Sequence, residues 1–345
     1  MKVGIVGWGT ISDIHAQALV AAENCSLKAV FTSSTSKNKS ILEKYDIEIF
    51  NNYEDMLNSD LIDSVSICTP SGAHLEFAVE AARKKKNVII EKPIEVTVER
   101  AKEIIDACKE NDVALAIIYQ SRYLSAVQKT KDVISKNLLG KIFHASAYIK
   151  WYRSEEYYDS GAWRGTKELD GVGVLINQAI HTIDLLQYFV GDVKEVSAFT
   201  GTFTHKSIEV EDSAAAILRF EDEAIGVIEA STSVKPAQAR RLEIHGEKGS
   251  VILDGDNAII KIDGYENDNK DLEESNSGAD SPLSGFSFIP HKKQFEEITE
   301  RIMNAKEPNV SGTEALKSLA IVEGIYHSNN DKRIVSIDKL LKGER

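Results

Sequence analysis

Residues 3–12 read VGIVGWGTIS, and this stretch decides the fold of the amino-terminal part of the chain. The apolar run VGIV predicts a buried strand, the residues after it predict a tight turn, and a helix follows. Gly7 permits the tight turn, and Gly9 lets the backbone approach a pyrophosphate on the helix N-terminus. Ser12 replaces the third glycine of this pattern and is small enough for close packing of the helix on the strand. An ordinary turn between a strand and a helix is the alternative.

We predict that this turn binds a dinucleotide, because strand, turn and helix follow one another in the order that such a site requires. The predicted contacts are Gly7, Trp8, Gly9, Thr10 and Ile11. The end of the second strand lacks the carboxylate that would bind the ribose diol of NAD. It carries Thr32, Ser33 and Lys37 instead, whose hydroxyl and ammonium groups suit a 2'-phosphate. We therefore expect NAD(P)(H) as the cofactor, with a slight preference for NADP(H); a solvated polar turn is the alternative.

The two parts of the chain differ in the pattern of their apolar residues. From residue 1 to about 120, short apolar runs alternate with amphipathic helical stretches, which predicts a doubly wound parallel sheet. After residue 140 the apolar runs are longer, with turns between them, which predicts antiparallel hairpins. Because 345 residues exceed the usual size of one core, we predict an α/β protein with two domains. A Rossmann domain would span 1–121, and an α/β domain with a large, open, mostly antiparallel sheet would span 122–345, with a polar surface loop over 264–287.

Composition excludes several classes of protein. Hydrophobic residues make up 42% and charged residues 28% of the chain, as is usual in globular proteins. The net charge of -13 repels polyanions, so we expect no nucleic-acid partner. The three cysteines, Cys25, Cys68 and Cys108, are too far apart for a disulfide framework or a zinc knuckle, and we predict no metal site. No apolar run approaches 18 residues, so we expect a cytoplasmic protein with no membrane partner.

The stretch IIEKPIE, residues 89–95, ends an apolar run with charged residues. Charges at the end of a buried strand cost free energy unless they are paired with an opposite charge or remain hydrated. In a doubly wound sheet, ligands bind beyond the carboxyl ends of the strands, so Lys92 would lie beside the nicotinamide. There it could exchange a proton with a carbonyl or hydroxyl oxygen, while Glu91 neutralised and oriented it. A salt bridge at the strand end is the alternative.

Six motifs together resemble the glucose-fructose oxidoreductase, inositol dehydrogenase and rhizopine-catabolism (Gfo/Idh/MocA) family of NAD(P)-dependent sugar oxidoreductases. They are GWGTIS at the start, CTPSGAH (68–74), EKP (91–93), YQSRY (119–123), WRGT (163–166) and GVGVLINQAIHTID (171–184). The resemblance covers nearly the whole chain. It implies the two domains, a catalytic Lys92, a cis peptide bond before Pro93 and an open sheet that often forms the oligomer interface. We therefore expect a homo-oligomer, either a dimer or a tetramer.

The resemblance also implies cofactor contacts beyond the first turn. These are Thr69, Pro70, His74, Glu91, Lys92, Gln120, Trp163 and Arg164. The indole of Trp163 offers a flat face to a ring, and Arg164 could hold a phosphate or a carboxylate. Surface packing is the alternative for this pair.

The stretch INQAIHTID places Asn177 and His181 four residues apart on one helix face, with Asp184 three residues further along. His181 could take a proton as hydride leaves an alcohol carbon. A core helix with a satisfied histidine is the alternative, and the family resemblance favours catalysis. Family members commonly have aspartate at Asn177, so this chain resembles the branches that act on sugar nucleotides and the uncharacterised sugar dehydrogenases rather than the inositol dehydrogenases. The predicted substrate contacts are Lys92, Tyr152, Asn177, His181, Asp184 and His291.

These observations predict an NAD(P)-dependent oxidoreductase that moves a hydride between nicotinamide and a secondary alcohol of a sugar, a sugar derivative or a sugar nucleotide. The predicted partner is therefore a small sugar-type substrate. Two other functions stay open: an NAD-dependent glycosidase that works by transient oxidation, and a regulator that binds the cofactor without turnover.

Overall fold

The computed structural model describes residues 1–34, 38–161, 164–167, 171, 173–264 and 287–344. The predicted surface loop falls almost entirely outside these residues, as do Lys37 and Trp163. The chain forms two compact units. The first contains residues 1–95, 99–120 and 287–316, and the second contains the other described residues. The predicted boundaries assign 287–316 to the second domain, whereas this segment belongs to the first unit.

Strands and helices alternate through the amino-terminal part. In chain order they are β1 (Lys2–Val6), α1 (Thr10–Ala21), β2 (Ser26–Phe31), α2 (Asn38–Lys44), β3 (Glu48–Phe50), α3 (Tyr53–Asn58), β4 (Ser64–Ile67), α4 (His74–Arg83), β5 (Asn87–Glu91), α5 (Val98–Glu110) and β6 (Leu115–Ile118). The remaining elements are α6 (Ser125–Ser135), β7 (Ile142–Lys150), α7 (Glu155–Asp159), α8 (Ile180–Val190), β8 (Val193–Gly201), β9 (Ser213–Phe220), β10 (Ile225–Ser231), β11 (Arg241–Gly246), β12 (Gly249–Asp254), β13 (Asn257–Ile262), α9 (Ile289–Met303), α10 (Gly312–Asp331), β14 (Val335–Ser336) and α11 (Ile337–Lys342).

The first unit is built on a six-stranded parallel sheet in the order β3-β2-β1-β4-β5-β6. Its central strands, β1, β4 and β5, are almost entirely buried on both faces, as is usual in parallel sheets. This confirms the predicted doubly wound sheet. The chain reverses its direction of travel across the sheet between β1 and β4, which is where ligands bind in such folds. The carboxyl ends of β1, β4 and β5 therefore lie side by side.

Helix α9 completes the core of the first unit. Phe295 and Ile298 are buried in the same cluster as the apolar face of α1. The side-chain amide of Gln294 donates to the backbone oxygen of Ile117 at 2.8 Å. The Ile117 N–H in turn donates to the Val310 oxygen at 2.9 Å. These two bonds satisfy backbone groups on the edge of β6 that does not pair with another strand.

The second unit is built on an eight-stranded sheet in the order β13-β12-β11-β7-β10-β9-β8-β14. Only the β7–β10 pair is parallel, so the predicted large, mostly antiparallel sheet is confirmed. Helix α8 packs on β7 and β11. The strands alternate between buried and exposed residues, and the exposed face carries large apolar side chains, with Phe199 74% and Ile217 61% exposed. Within the described residues, no helix combines the length and the apolar character that crossing a membrane requires.

Candidate active site

The turn after β1 has the predicted geometry. Gly7 has φ +86°, and a Cβ at this position would lie 3.2 Å from Cγ2 of Thr69. Gly9 is exposed directly before α1, its N–H donates to Oγ of Ser12 at 3.1 Å, and no atom would lie within 4 Å of an added Cβ. Thr10 and Ile11 form the first turn of the helix. The backbone at Gly9 is therefore open to a close ligand.

Two buried oxygens also suit a dinucleotide. Oγ1 of Thr69 and Oε1 of Gln120 have no hydrogen-bond partner among the described residues. A buried polar atom without a partner is costly, and a bound cofactor would satisfy it. The residues of the first unit therefore fit the predicted NAD(P)(H).

The predicted ribose-binding turn follows β2. Thr32 is buried, and its Oγ1 accepts a hydrogen bond from the Ser34 N–H at 3.2 Å. Ser33 is exposed. Trp8 is partly buried, and its ring lies edge-on to Tyr45 with 5.9 Å between the ring centroids. Preference for NADP(H) stays a prediction.

His74 links the loops that follow β4 and β5. Its Nδ1 lies 3.0 Å from the Pro93 oxygen, and its Nε2 lies 3.1 Å from the Thr69 oxygen. Burial lowers the pKa of His74, which favours the neutral ring, and a neutral ring donates to one of these carbonyls at a time. Both ring nitrogens thus face backbone oxygens, and direct contact of His74 or Pro70 with a cofactor stays a prediction.

Lys92 lies directly after β5 and is partly buried. Its backbone N–H donates to Oε2 of Glu91 at 3.1 Å. The Lys92–Pro93 peptide bond is cis, as the family resemblance implies. The ends of β1, β4 and β5 thus bring together the glycine turn, Thr69 and Lys92.

Glu91 forms a buried ion pair with His15, a residue that the sequence analysis did not select. Nε2 of His15 lies 2.8 Å from Oε1 of Glu91, and the two residues are 0% and 6% exposed. Burial acts to lower the pKa of His15, but Cys68 and Glu91 raise it to about 10. Burial acts to raise the pKa of Glu91, but His15 and His291 hold it well below its usual value. Glu91 is therefore ionised and bound to His15; the described contacts do not include the predicted pairing of its side chain with the Lys92 ammonium.

His291 is buried beside this pair. Its Nε2 lies 3.8 Å from Oε1 of Glu91, and neither ring nitrogen forms a hydrogen bond to a described residue. One ligand atom each of His15, Glu91 and His291 lie within 4.8 Å of one another. The 2.8 Å between Nε2 of His15 and Oε1 of Glu91 is the distance of a charge-assisted hydrogen bond, so we interpret the group as an ion pair. Substrate contact by His291 stays a prediction.

His181 is the second residue of α8 in the second unit. The predicted continuous α-helix instead begins with a wider π-helical turn, Leu175–Ala179, which contains Asn177. Asn177 and His181 are both partly buried, whereas the three residues between them are fully buried. The two side chains therefore share the more open side of the helix, as predicted.

Asp184 lies on the buried side of α8. Its carboxylate accepts two hydrogen bonds from Arg122, at 2.8 Å from Nε and 2.6 Å from Nη2. Asp184 is 0% exposed, and direct substrate contact by this residue stays a prediction.

Glu211 holds the start of the helical segment, and the sequence analysis did not select it. Its two carboxylate oxygens accept hydrogen bonds from the N–H groups of Gly173 and Leu175, both at 3.0 Å. A Cβ at Gly173 would lie 1.8 Å from the backbone oxygen of Glu211, so only glycine fits there. The signal in the sequence was an acidic pair, Glu211 and Asp212, directly before an apolar strand.

Several predicted contacts follow β7. Tyr152 lies beside Ser233, and the ammonium of Lys235 is 4.0 Å from the centre of its ring. Arg164 donates from Nη1 to the hydroxyl of Tyr157 at 2.6 Å.

Comparison with known proteins agrees with this geometry. The family described as "Oxidoreductase family, NAD-binding Rossmann fold" matches residues 1–119, and the "GFO/IDH/MocA C-terminal domain" matches residues 127–252. The myo-inositol 2-dehydrogenase of Thermotoga maritima is 24% identical over 99% of this chain and 100% of that protein. The scyllo-inositol 2-dehydrogenase (NADP+) of Bacillus subtilis is 26% identical over 98% of this chain and 96% of that protein.

Among solved structures, the WlbA dehydrogenase of Bordetella pertussis in complex with NADH and UDP-GlcNAcA has a TM-score of 0.88 and 29% identity over 97% of each chain. One match lies mainly in the first unit and the other in the second, and together they span more than half of the chain. The chain therefore belongs to the GFO/IDH/MocA family and is an oxidoreductase with an NAD-binding Rossmann fold.

Proposed function

We propose that the protein moves a hydride between nicotinamide and a hydroxyl-bearing carbon of a sugar-type substrate, and that Lys92 and His181 carry the proton chemistry of this reaction. The observation that carries the proposal is the position of Lys92 directly after β5, at the edge where the glycine turn and Thr69 also lie. The bound nicotinamide supplies the hydride acceptor or donor. The ammonium of Lys92 donates a hydrogen bond to the substrate oxygen, and neutral His181 accepts the hydroxyl proton during oxidation.

Two glutamates support these roles by binding backbone N–H groups. The Glu91 carboxylate accepts the Lys92 N–H, and His15 keeps that carboxylate ionised. In the second unit, Glu211 binds the N–H groups at the start of the helical segment that carries His181. Positioned groups lose little freedom when the substrate binds, which is the main advantage of such supports.

We propose a sugar nucleotide as the first substrate class to test. The solved structure at 29% identity is a complex with NADH and UDP-GlcNAcA, and Asn177 supports the same class. The curated relatives named for inositols make a free polyol the second class.

The assembly and location are also proposals. The exposed apolar face of the second sheet, with Phe199 and Ile217, supports a homo-oligomer, a dimer or a tetramer, in which this face is covered. The composition supports a cytoplasmic location. A domain boundary near residue 121 agrees with the gap between the two family matches.

The test is a turnover assay with the purified protein. NAD+ or NADP+ is mixed with UDP-GlcNAcA, UDP-GlcNAc, myo-inositol or a glycoside, and reduced nicotinamide is followed by its absorbance. We expect the fastest net reduction with a sugar nucleotide, and Lys92→Ala serves as the matched control. Glycoside cleavage without net reduction would instead identify a glycosidase, and oxidation of myo-inositol alone would exclude the sugar nucleotide.

A further inference from the structure

His74 is a buried histidine at the start of α4, and both of its ring nitrogens face backbone oxygens. The residue is 1% exposed. Its Nδ1 lies 3.0 Å from the Pro93 oxygen and 3.3 Å from the Ile94 oxygen. Its Nε2 lies 3.1 Å from the Thr69 oxygen. One imidazole ring therefore bridges the loop after β4 and the loop after β5.

Each end of this bridge adjoins a group of the candidate site. Thr69 packs against the glycine turn, where a Cβ added at Gly7 would lie 3.2 Å from its Cγ2. Pro93 follows Lys92 directly, and its ring fixes φ, so few torsions separate the Pro93 oxygen from the Lys92 backbone. His74 thus connects the cofactor turn with the proposed proton donor by a short path.

The ring of His74 has one proton to share between the two loops. Burial lowers the pKa of His74, and Glu95 and the facing carbonyl groups only partly oppose this shift. A neutral imidazole donates from one nitrogen only, and a carbonyl group cannot donate. His74 therefore forms one of the two links at a time. A movement of either loop changes which carbonyl oxygen is the better acceptor, so the strength of each link depends on the position of the other loop.

The same two loops are joined again, further from Lys92. Nη2 of Arg100 donates to the Gly72 oxygen at 3.0 Å and to Oε1 of Glu95 at 2.9 Å. The Arg100 side chain is 32% exposed, so water competes for these bonds more than for those of the enclosed His74. His74 binds the residue next to Lys92, whereas Arg100 binds a residue three positions beyond it.

We propose that His74 is a positioning residue for the reaction and that it couples the loop at Thr69 to the backbone of Lys92. The inference rests on the proposed function and deepens it, because it assigns the placement of Lys92 to a residue that acts through two loops. With the cofactor bound against Thr69, His74 holds the Pro93 oxygen, and the Lys92 ammonium stays beside the substrate oxygen. A misplacement of about 1 Å can slow such a reaction by about a hundredfold.

The test replaces His74 by phenylalanine, which keeps an aromatic ring and has no polar side-chain atom. Turnover is measured with NAD+ and UDP-GlcNAcA, or with myo-inositol if the wild type prefers it. The kcat value is expressed per NADH-binding site, so unfolded protein does not contribute. We expect kcat to fall at least about tenfold in His74→Phe, because Lys92 is no longer placed correctly, while the dissociation constant of NADH stays close to that of the wild type.

Two further variants make the result specific. His74→Gln places an amide nitrogen near the position of Nε2 and can restore the link to Thr69, so we expect its kcat to lie above that of His74→Phe. Tyr53→Phe is the matched control. It removes a buried hydrogen bond of 2.9 Å from the Tyr53 hydroxyl to the Phe77 oxygen of the same helix α4, and this bond joins neither loop of the site. Its kcat should equal that of the wild type.

A measurement without substrate tests the coupling directly. Hydrogen–deuterium exchange is followed by mass spectrometry, with and without NADH, for peptides that cover residues 69–75 and 91–95. In the wild type we expect NADH to slow exchange in both peptides, because the two loops are held together. In His74→Phe we expect NADH to slow exchange only in the first peptide.

The outcomes separate this inference from the proposed function. Normal kcat in a folded His74→Phe protein overturns the inference. So does a weaker binding of NADH without a fall in kcat, which would make His74 a direct cofactor contact. If the wild type reduces no nicotinamide with any substrate, the proposed function fails, and the exchange measurement decides the inference. Equal protection of residues 91–95 by NADH in the wild type and the variant would overturn it.

A second variant keeps the test decisive if His74→Phe does not fold. His74→Gln then takes its place in both comparisons, because it also loses the link from Nδ1 to the Pro93 oxygen.

Discussion

Two buried glutamates, one in each unit, have pKa values that shift in opposite directions. Glu91 in the first unit is held well below its usual pKa despite burial, because His15 supplies an opposite charge. Burial raises the pKa of Glu211 in the second unit, where neutral backbone N–H groups only partly compensate it. The comparison shows that burial alone does not set the charge of a carboxylate; the charge of its partner does. Each glutamate supports a segment with a proposed catalytic residue, Lys92 or His181.

The largest effect is expected from the residue that Glu91 supports. Lys92→Ala should reduce turnover by at least about a hundredfold, the usual contribution of a positioned proton-transfer group. Steady-state kinetics measures the loss, while cofactor titration and thermal unfolding should stay close to wild type. A folded Lys92→Ala protein with normal turnover would exclude Lys92 as a proton-transfer group.

The next effect concerns the residue on the Glu211 side. His181→Asn should remove most of the turnover together with the rise of the oxidation rate with pH near neutrality, because the base must be unprotonated to accept a proton. The matched variant Asn177→Ala should mainly raise KM, since an amide cannot relay a proton. Lys92 can couple to this titration, so the apparent pKa alone does not identify the base. The comparison between the two variants identifies it. Retention of both rate and pH profile in His181→Asn would exclude this histidine.

The ion pair itself predicts a stability that depends on pH. The raised pKa of His15 stabilises the fold below about pH 6.5, and this contribution is lost as the pH rises towards 10. The lowered pKa of Glu91 stabilises the fold above about pH 4.5, and this contribution is lost as the pH falls below that value. Glu91→Gln should therefore cost about 3 kcal/mol near pH 6, the low end for breaking a buried ion pair, and less near pH 9.5.

Urea unfolding at both pH values measures this difference. The control is Glu103→Gln, which changes an exposed glutamate of the first unit and should cost little at either pH. An equal cost for Glu91→Gln at the two pH values would mean that the charge of His15 does not support Glu91.

The smallest effect concerns the cofactor. NADP(H) should bind more tightly than NAD(H), and Lys37→Ala should weaken only NADP(H), by about two- to fivefold, as expected for an exposed charge pair. Lys28→Ala, which changes an exposed lysine on β2, is the control. Quenching of tryptophan fluorescence gives both dissociation constants, and tighter NAD(H) binding in the wild type would contradict the interpretation of the hydroxyl-rich turn.

The parallel sheet and the place of Lys92 could be predicted because their signals are local. Buried parallel strands are continuous apolar runs, so the positions of the turns after β1 and β5 could be read directly from the sequence. The family motifs then identified the helix with His181. These features require no knowledge of distant partners.

The contacts that support the site could not be predicted, because they join residues far apart in sequence. Glu91 binds His15, 76 residues away, and Glu211 binds the Gly173 N–H, 38 residues away. Asp184 was predicted as a substrate contact from its spacing to His181, and its hydrogen bonds to Arg122, 62 residues away, could not be foreseen from that spacing. Helical spacing predicts which residues lie near one another on a helix. Contacts with residues distant in sequence decide which of them are buried.

The return of residues 287–316 to the first unit sets an order of events during protein synthesis. The strands of the parallel sheet leave the ribosome well before α9 is made. Until then the nascent chain exposes the apolar side of α1 that later packs on Phe295 and Ile298, and the open edge of β6. Such surfaces promote association between unfinished chains. The first unit is thus complete only after residue 316 has been translated. A fragment that ends at residue 120 would leave these apolar side chains and this strand edge exposed permanently.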